Sequence, residues 1–243
     1  NRIFGVMSSY GLVPVPMFIF MGLMLDKSGI ANELLRSLQM LLRSVPGGLA
    51  LAVTIIGTVL AASTGIIGAS VVLLTTLALP TMLKDRYQPE LAVGTIAASG
   101  CLGILIPPSI MLILMADQMN LSVGDLFMGA VFPGLILSGL YFLYIATIAF
   151  LKPNMAPPLA LAPGEEEVGT SEMLIAVARA MIAPSLLILA VLGSIFFGIA
   201  SPTEAAGVGA MGATLLALIN RKLDLPTLKE VMYSSAKTTS FIF

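Results

Sequence analysis

Ser63, Thr64, Gly65 and Ser70 lie near the middle of residues 44–83, a stretch without a single charged side chain. They belong to the small-residue run Ala61-Ala62-Ser63-Thr64-Gly65-Ile66-Ile67-Gly68-Ala69-Ser70. Hydroxyls and glycine-exposed carbonyls offer oxygens without charge, which suits the loose coordination of an ion rather than bond-making. A second constellation reads Ala97-Ala98-Ser99-Gly100-Cys101-Leu102-Gly103-Ile104-Leu105-Ile106-Pro107-Pro108-Ser109. Each proline lacks an N–H, and Pro108 drives Pro107 out of the helical region. A helix arriving from residue 91 is therefore expected to end near Gly103–Ile106, with a new one starting near Pro108. Half-helices that meet inside a membrane present carbonyls to cations and N-termini to anions. The same residues also fit a simple proline kink, and the first stretch also fits a hairpin packed on small side chains. A third motif, Ser201-Pro202-Thr203-Glu204, reads as a capping box that starts a helix at an interface.

Other chemistries are removed by composition. The chain has no histidine, which eliminates Ser-His catalysis and imidazole-based zinc sites. Its one cysteine, Cys101, allows no intrachain disulfide and no cysteine cluster. The net charge is −1, without a basic tract of the kind that grips nucleic acid. Asp117 and Asp125 are the only carboxylates near one another that flank apolar sequence, and both fall in a short connection. No catalytic residue is assigned, and an enzyme is not expected. The 15 methionines are read as apolar packing.

The elements that must position these residues are written in the hydropathy. Of 243 residues 58% are hydrophobic and only 10% charged. The mean hydropathy is +1.02. Charge-free runs cover 3–25, 44–83, 91–116, 126–151, 180–203 and 205–220. A helix crosses the hydrocarbon core in about 20 apolar residues, so all but the last run are long enough. The chain is expected to be an all-α, multi-spanning membrane protein and not a strand-alternating barrel.

Lys27, Arg36 and Arg43 follow the first run, and Leu34, Leu35, Leu38, Leu41 and Leu42 recur there at helical spacing, which predicts an interfacial amphipathic helix. Run 44–83 is flanked by Arg43 on one side and by Lys84 and Arg86 on the other. It should therefore enter and return on one side, as two spans or one re-entrant hairpin. The alternation that follows places every basic residue except Arg2 on the cytoplasmic side. A turn among Ala61–Ser70 would lie within the membrane, where irregular backbone is tolerated only inside protein or against an aqueous cavity. Expected units are 1–45 (a span plus the amphipathic helix), 46–83 (the hairpin), 90–151 (a broken helix and a following span), 152–173 (a cytoplasmic loop) and 174–243. The absence of an initiator Met, and an apolar stretch beginning at Phe241-Ile242-Phe243, suggest a piece of a longer chain.

Pro46-Gly47-Gly48-Leu49-Ala50 before the small-residue tip, then Gly103-Ile104-Leu105-Ile106-Pro107-Pro108-Ser109, then Pro202-Thr203-Glu204-Ala205-Ala206, closely resemble the large membrane subunit of TRAP transporters, the tripartite ATP-independent periplasmic permeases. The resemblance runs along essentially the whole chain. It implies an inverted-repeat, elevator-type sodium symporter of small organic carboxylates in a bacterial or archaeal inner membrane. The partners it implies are a small membrane subunit and a periplasmic substrate-binding protein, with sodium as the coupling ion and no other cofactor. Carried over, Ser63, Thr64 and Gly65 sit at the first hairpin tip, and Ser99 to Ser109 form the first broken helix. Ion and substrate ligands are then sought among Ser63, Thr64, Gly65, Ser70, Ser99, Gly100, Gly103, Pro107 and Ser109. Sodium is assigned to oxygens of Ser63, Gly65, Ser99 and Gly103. Residues 174–243 would open the second repeat. The tip departs from the Ser-Gly-Ser-Ser pattern common in the family, and Cys101 stands where threonine is common. Two other readings compete: a stand-alone secondary anion transporter, and a non-transporting membrane scaffold.

Overall fold

The computed structural model describes residues 10–65, 67–158 and 170–243, and every regular element among them is helical. After a 3-10 turn at Tyr10–Leu12 come α1 (Pro14–Lys27) and α2 (Ile30–Leu42). They bend by 53° at a two-residue break, where Gly29 takes φ 76°, a left-handed conformation that costs glycine little. α2 buries Ile30, Ala31, Leu34, Leu35 and Leu38, and it exposes Asn32, Glu33 and Arg36. That division is the amphipathic pattern expected from the leucine spacing.

Run 44–83 forms α3 (Gly48–Thr64) and α4 (Ile67–Lys84), which join beside Gly65. α3 is the centre of the molecule, with Leu49, Ala50, Ala52, Val53 and Ile56 at 1% exposure or less. It touches α1, α2 and α4 and the later helices Pro89–Cys101, Val123–Leu151 and Thr170–Phe196. Run 91–116 is indeed broken. α5 (Pro89–Cys101) passes into a 3-10 turn at Leu102–Ile104, and α6 (Ile110–Met119) follows. The restart is two residues later than expected, because Ser109 is extended and only caps the new helix.

α7 (Val123–Leu151) is followed, beyond the undescribed residues 159–169, by α8 (Thr170–Phe196), α9 (Pro202–Ile219) and α10 (Leu225–Ile242). α9 lays Ala205, Ala206, Gly209, Ala210, Ala213 and Ala217 inward. This small-residue face lets α1 approach closely: a Cβ on Gly209 would stand 2.6 Å from Met21 Sδ. The Ser201 capping box forms as read, with Glu204 Oε2 accepting from Ser201 N–H at 2.7 Å and Ser201 Oγ from Glu204 N–H at 3.3 Å.

Two expectations are corrected. α8 starts at Thr170, inside the segment read as loop. Lys237 does not share the basic end with Lys27. Lys27 Nζ pairs with Glu230 at 2.7 Å, whereas the Ser235 hydroxyl donates to Pro16 O in the first turn of α1, at 3.2 Å. α10 thus runs antiparallel to α1 and carries Lys237 away from that end.

Among the described residues two helices, Val123–Leu151 and Pro202–Ile219, are long and apolar enough to cross a membrane, or three if the bent α1–α2 pair counts as one. Several charge-free runs are instead divided into shorter helices. At one end, Gly47 N–H donates to Ala156 O and Gln88 N–H to Met155 O, both at 2.9 Å. The connections bearing Arg43, Lys84, Arg86 and Lys152 meet there, which agrees with a hairpin whose two feet share one side.

Candidate ion and substrate site at a helix tip and a helix break

Gly65 turns the chain between α3 and α4 with φ 60°. It is buried against the break in the next pair of half-helices: a Cβ placed on it would lie 3.2 Å from both Pro108 O and Ile110 N. A side chain there would crowd both backbone atoms and would be strained at this positive φ, so glycine suits the close approach. The break has its own internal closure. Pro107 and Pro108 cannot donate to the carbonyls of Gly103 and Ile104 four residues back. The Ser109 hydroxyl takes the second of these, donating to Ile104 O at 2.9 Å. Gly103, buried in the 3-10 turn, loses the helical bond that residue 107 would have donated to its carbonyl. Pro107-Pro108 is a cis peptide, and Pro107, Pro108 and Ser109 are all buried.

The structure therefore seats Gly65 against the backbone of Pro108 and Ile110, with Pro107 and Ser109 adjoining them in the chain at the N-terminus of α6. This arrangement has no charged side chain and suits a partly dehydrated cation with an anion nearby. No group of three or more His, Cys, Asp or Glu is placed to hold a metal among the described residues. The backbone of Ser63 and Thr64 ends α3, but their side chains lie outside the described residues.

Ser99 and Gly100 are placed apart from the tip. A Cβ on Gly57 would stand 2.5 Å from Ser99 Cβ, so Ser99 packs against α3 eight residues before Gly65, or about 12 Å along a helix rising 1.5 Å per residue. Gly100 receives Val71 of α4 in the same manner. Both glycines let α5 nest between the two arms. Ser70 is buried near the start of α4.

Two features were not found from sequence. Thr58 and Ser138 hydroxyls share a 2.6 Å hydrogen bond that ties α3 to α7. Thr95, one turn before the candidate Ser99 on α5, is buried, and among the described residues neither hydroxyl has a hydrogen-bond partner. The four-residue spacing of that pair was the available signal. Near the opposite end from the basic connections, Gly11, Pro14, Ser122, Gly124 and Thr203 border a depression of about 430 Å³, where α1, α7 and α9 begin. The capping box lies beside it and acts as a helix start.

A family model described as "Tripartite ATP-independent periplasmic transporter, DctM component" matches residues 1–243. The chain belongs to that family. It is 32% identical over 239 residues to the C4-dicarboxylate TRAP transporter large permease protein of Pseudomonas aeruginosa, covering 98% of this chain and 54% of that protein. It is 29% identical over 233 residues to the ectoine TRAP transporter large permease protein of Halomonas elongata, covering 96% and 52%. The isethionate TRAP transporter permease protein DctMQ of Oleidesulfovibrio alaskensis is 29% identical over 243 residues, covering 98% of this chain and 36% of that protein. The chain thus spans about half the length of the first two. All three are named as transporter permeases and not as enzymes.

Proposed function

We propose that this chain forms part of the membrane permease of a sodium-coupled TRAP transporter. The permease imports a small organic carboxylate across the inner membrane, taking it from a periplasmic binding protein and working beside a small membrane subunit. The observation that carries this reading is the seating of Gly65 against Pro108 and Ile110, which joins a hairpin tip to a helix break. Sodium sits among backbone and hydroxyl oxygens there, with Gly103 the leading carbonyl and Gly65 the residue that admits it. The substrate carboxylate takes the N-terminal end of α6, whose dipole favours negative charge. Membership of the DctM family supports the binding-protein partner, and a relative named DctMQ supports a close association with a second membrane component.

In this reading α3 to α6 move together as the transport unit of an elevator. The close α3–α5 and α4–α5 contacts at Gly57 and Gly100 hold that unit rigid. The test uses the full-length protein carrying this chain, reconstituted with its small subunit. Uptake of a dicarboxylate should require both an inward sodium gradient and the binding protein. Uptake that proceeds equally without sodium removes the coupling, and uptake without the binding protein favours a stand-alone anion transporter.

A further inference from the structure

α5 and α7 border a groove of about 570 Å³ whose wall is mostly apolar, with Gly94 and Ala98 on one side and Leu137, Leu140 and Tyr144 on the other. Leu140 and Tyr144 are 54% and 60% exposed, so the groove opens outward from the described helices. An apolar hollow on the outside of a membrane helix pair has to be filled by lipid or by further protein. Its dimensions fit an acyl chain. From Gln88 at one end to Ala98 at the other is ten residues of α5, or about 15 Å at 1.5 Å per residue. That is about half of the roughly 30 Å hydrocarbon core, the depth of one leaflet. A methylene fills about as much space as the roughly 30 Å³ share of a liquid water, so the volume suits a single chain.

Charge at one end distinguishes the occupant. Gln88 N–H donates to Met155 O at 2.9 Å, which draws the connection after α7 against the start of α5. Lys84 and Arg86 lie just before Gln88, and Lys152 just before Met155, and all three are exposed. None of them makes an ion pair among the described residues. Gly47 N–H donating to Ala156 O brings the connection after Arg43 to the same end. Against these cations stand Asp85 and, in the groove wall itself, Glu90, so the end is net positive. Basic residues at the ends of helices place that end at the cytoplasmic surface, where anionic headgroups are concentrated. A protein segment would have to supply an apolar filling and, separately, carboxylates for the unpaired cations. A phospholipid carries both parts in one molecule.

We propose that the α5–α7 groove is a binding site for an anionic phospholipid of the cytoplasmic leaflet, one acyl chain lying along Gly94, Ala98 and Leu140 and the phosphodiester resting at Lys84, Arg86 and Lys152. The site goes beyond the transport reading and holds whichever ion or solute the permease carries.

Native mass spectrometry of the full-length protein tests it, after delipidation in detergent and titration with dioleoyl phosphatidylglycerol or dioleoyl phosphatidylcholine. The first phosphatidylglycerol should bind about tenfold more tightly than the first phosphatidylcholine. The combined exposed-site variant Lys84→Gln, Arg86→Gln and Lys152→Gln should remove that preference. Gly94→Phe fills the groove instead: a Cβ on Gly94 meets nothing within 4 Å, so the ring enters open space without displacing protein. It should weaken phosphatidylglycerol binding about tenfold. Gly139→Phe is its control, since Gly139 of α7 is equally open and does not line the groove.

Equal binding of the two lipids by the wild type overturns the proposal. So does binding that Gly94→Phe leaves unchanged, the result expected if another part of the permease covers the groove. A loss as large in Gly139→Phe means a general effect of added bulk and overturns it as well.

Discussion

A glycine is decisive here where a backbone must come close to something else, and Gly57 shows how sharply. A methyl on Gly57 would stand 2.5 Å from Ser99 Cβ and 3.3 Å from the Ser99 backbone, with no flexible end to give way. Gly57→Ala should destabilise the purified full-length protein by about 1–3 kcal/mol, the usual cost of overpacking. Adding Ser99→Gly should return part of that loss, giving a double-mutant coupling measurable by thermal unfolding in detergent. Tyr87 is a second test. Its buried hydroxyl accepts from Leu49 N–H at 3.3 Å, and burial pushes its pKa up to about 12. The folded state thus holds a proton that the unfolded chain gives up near pH 10. This contribution is fully present below pH 10 and is lost as pH rises through about 12. Tyr87→Phe should cost about 1 kcal/mol at neutral pH and flatten the alkaline fall in melting temperature. Pro107, Pro108 and Gly65 were legible as residues because each imposes its own backbone rule. The burial of Thr95 was not, since it depends on how other helices pack against α5, which no local pattern records.

At the level of elements, the charge-free runs marked where helices are but not how many. Run 44–83 became two helices because Gly65 turns the chain with positive φ, and run 91–116 was divided by Pro107-Pro108. Both were readable. α10 was not, since Lys229, Glu230 and Lys237 hide it from any count based on missing charge. Its signal was the cap: Asp224 Oδ1 accepts from Thr227 N–H at 2.8 Å, with Pro226 in the first turn. Hydrogen bonds to Thr227 hold the Asp224 carboxyl below its ordinary range, so the cap is formed at neutral pH and weakens only as acid protonates it. α9 is also set by its cap. Ser201→Ala should cost about 1 kcal/mol, read as a lower melting temperature. The Lys27–Glu230 pair bridges α1 and α10 at 2.7 Å but is 42% and 58% exposed. Glu230→Gln should therefore shift stability by less than about 1 kcal/mol.

The whole molecule is organised around α3, with apolar residues facing outward on the long helices as well as inward. Phe132, Ile136 and Leu143 of α7 are all more than 60% exposed, a surface that only lipid or further protein would cover. The tip and the break carry no charged side chain in their sequence. Any ion bound there depends on carbonyls that the backbone conformation sets, which makes Gly65 the most direct point of attack. Equilibrium binding of radioactive sodium to the purified full-length permease is the deciding measurement. The wild type should bind sodium saturably, and Gly65→Val should lose that binding while remaining monodisperse and helical. Sodium binding that is absent from the wild type, or unchanged in Gly65→Val, would contradict the assignment of the ion site to the tip and the break.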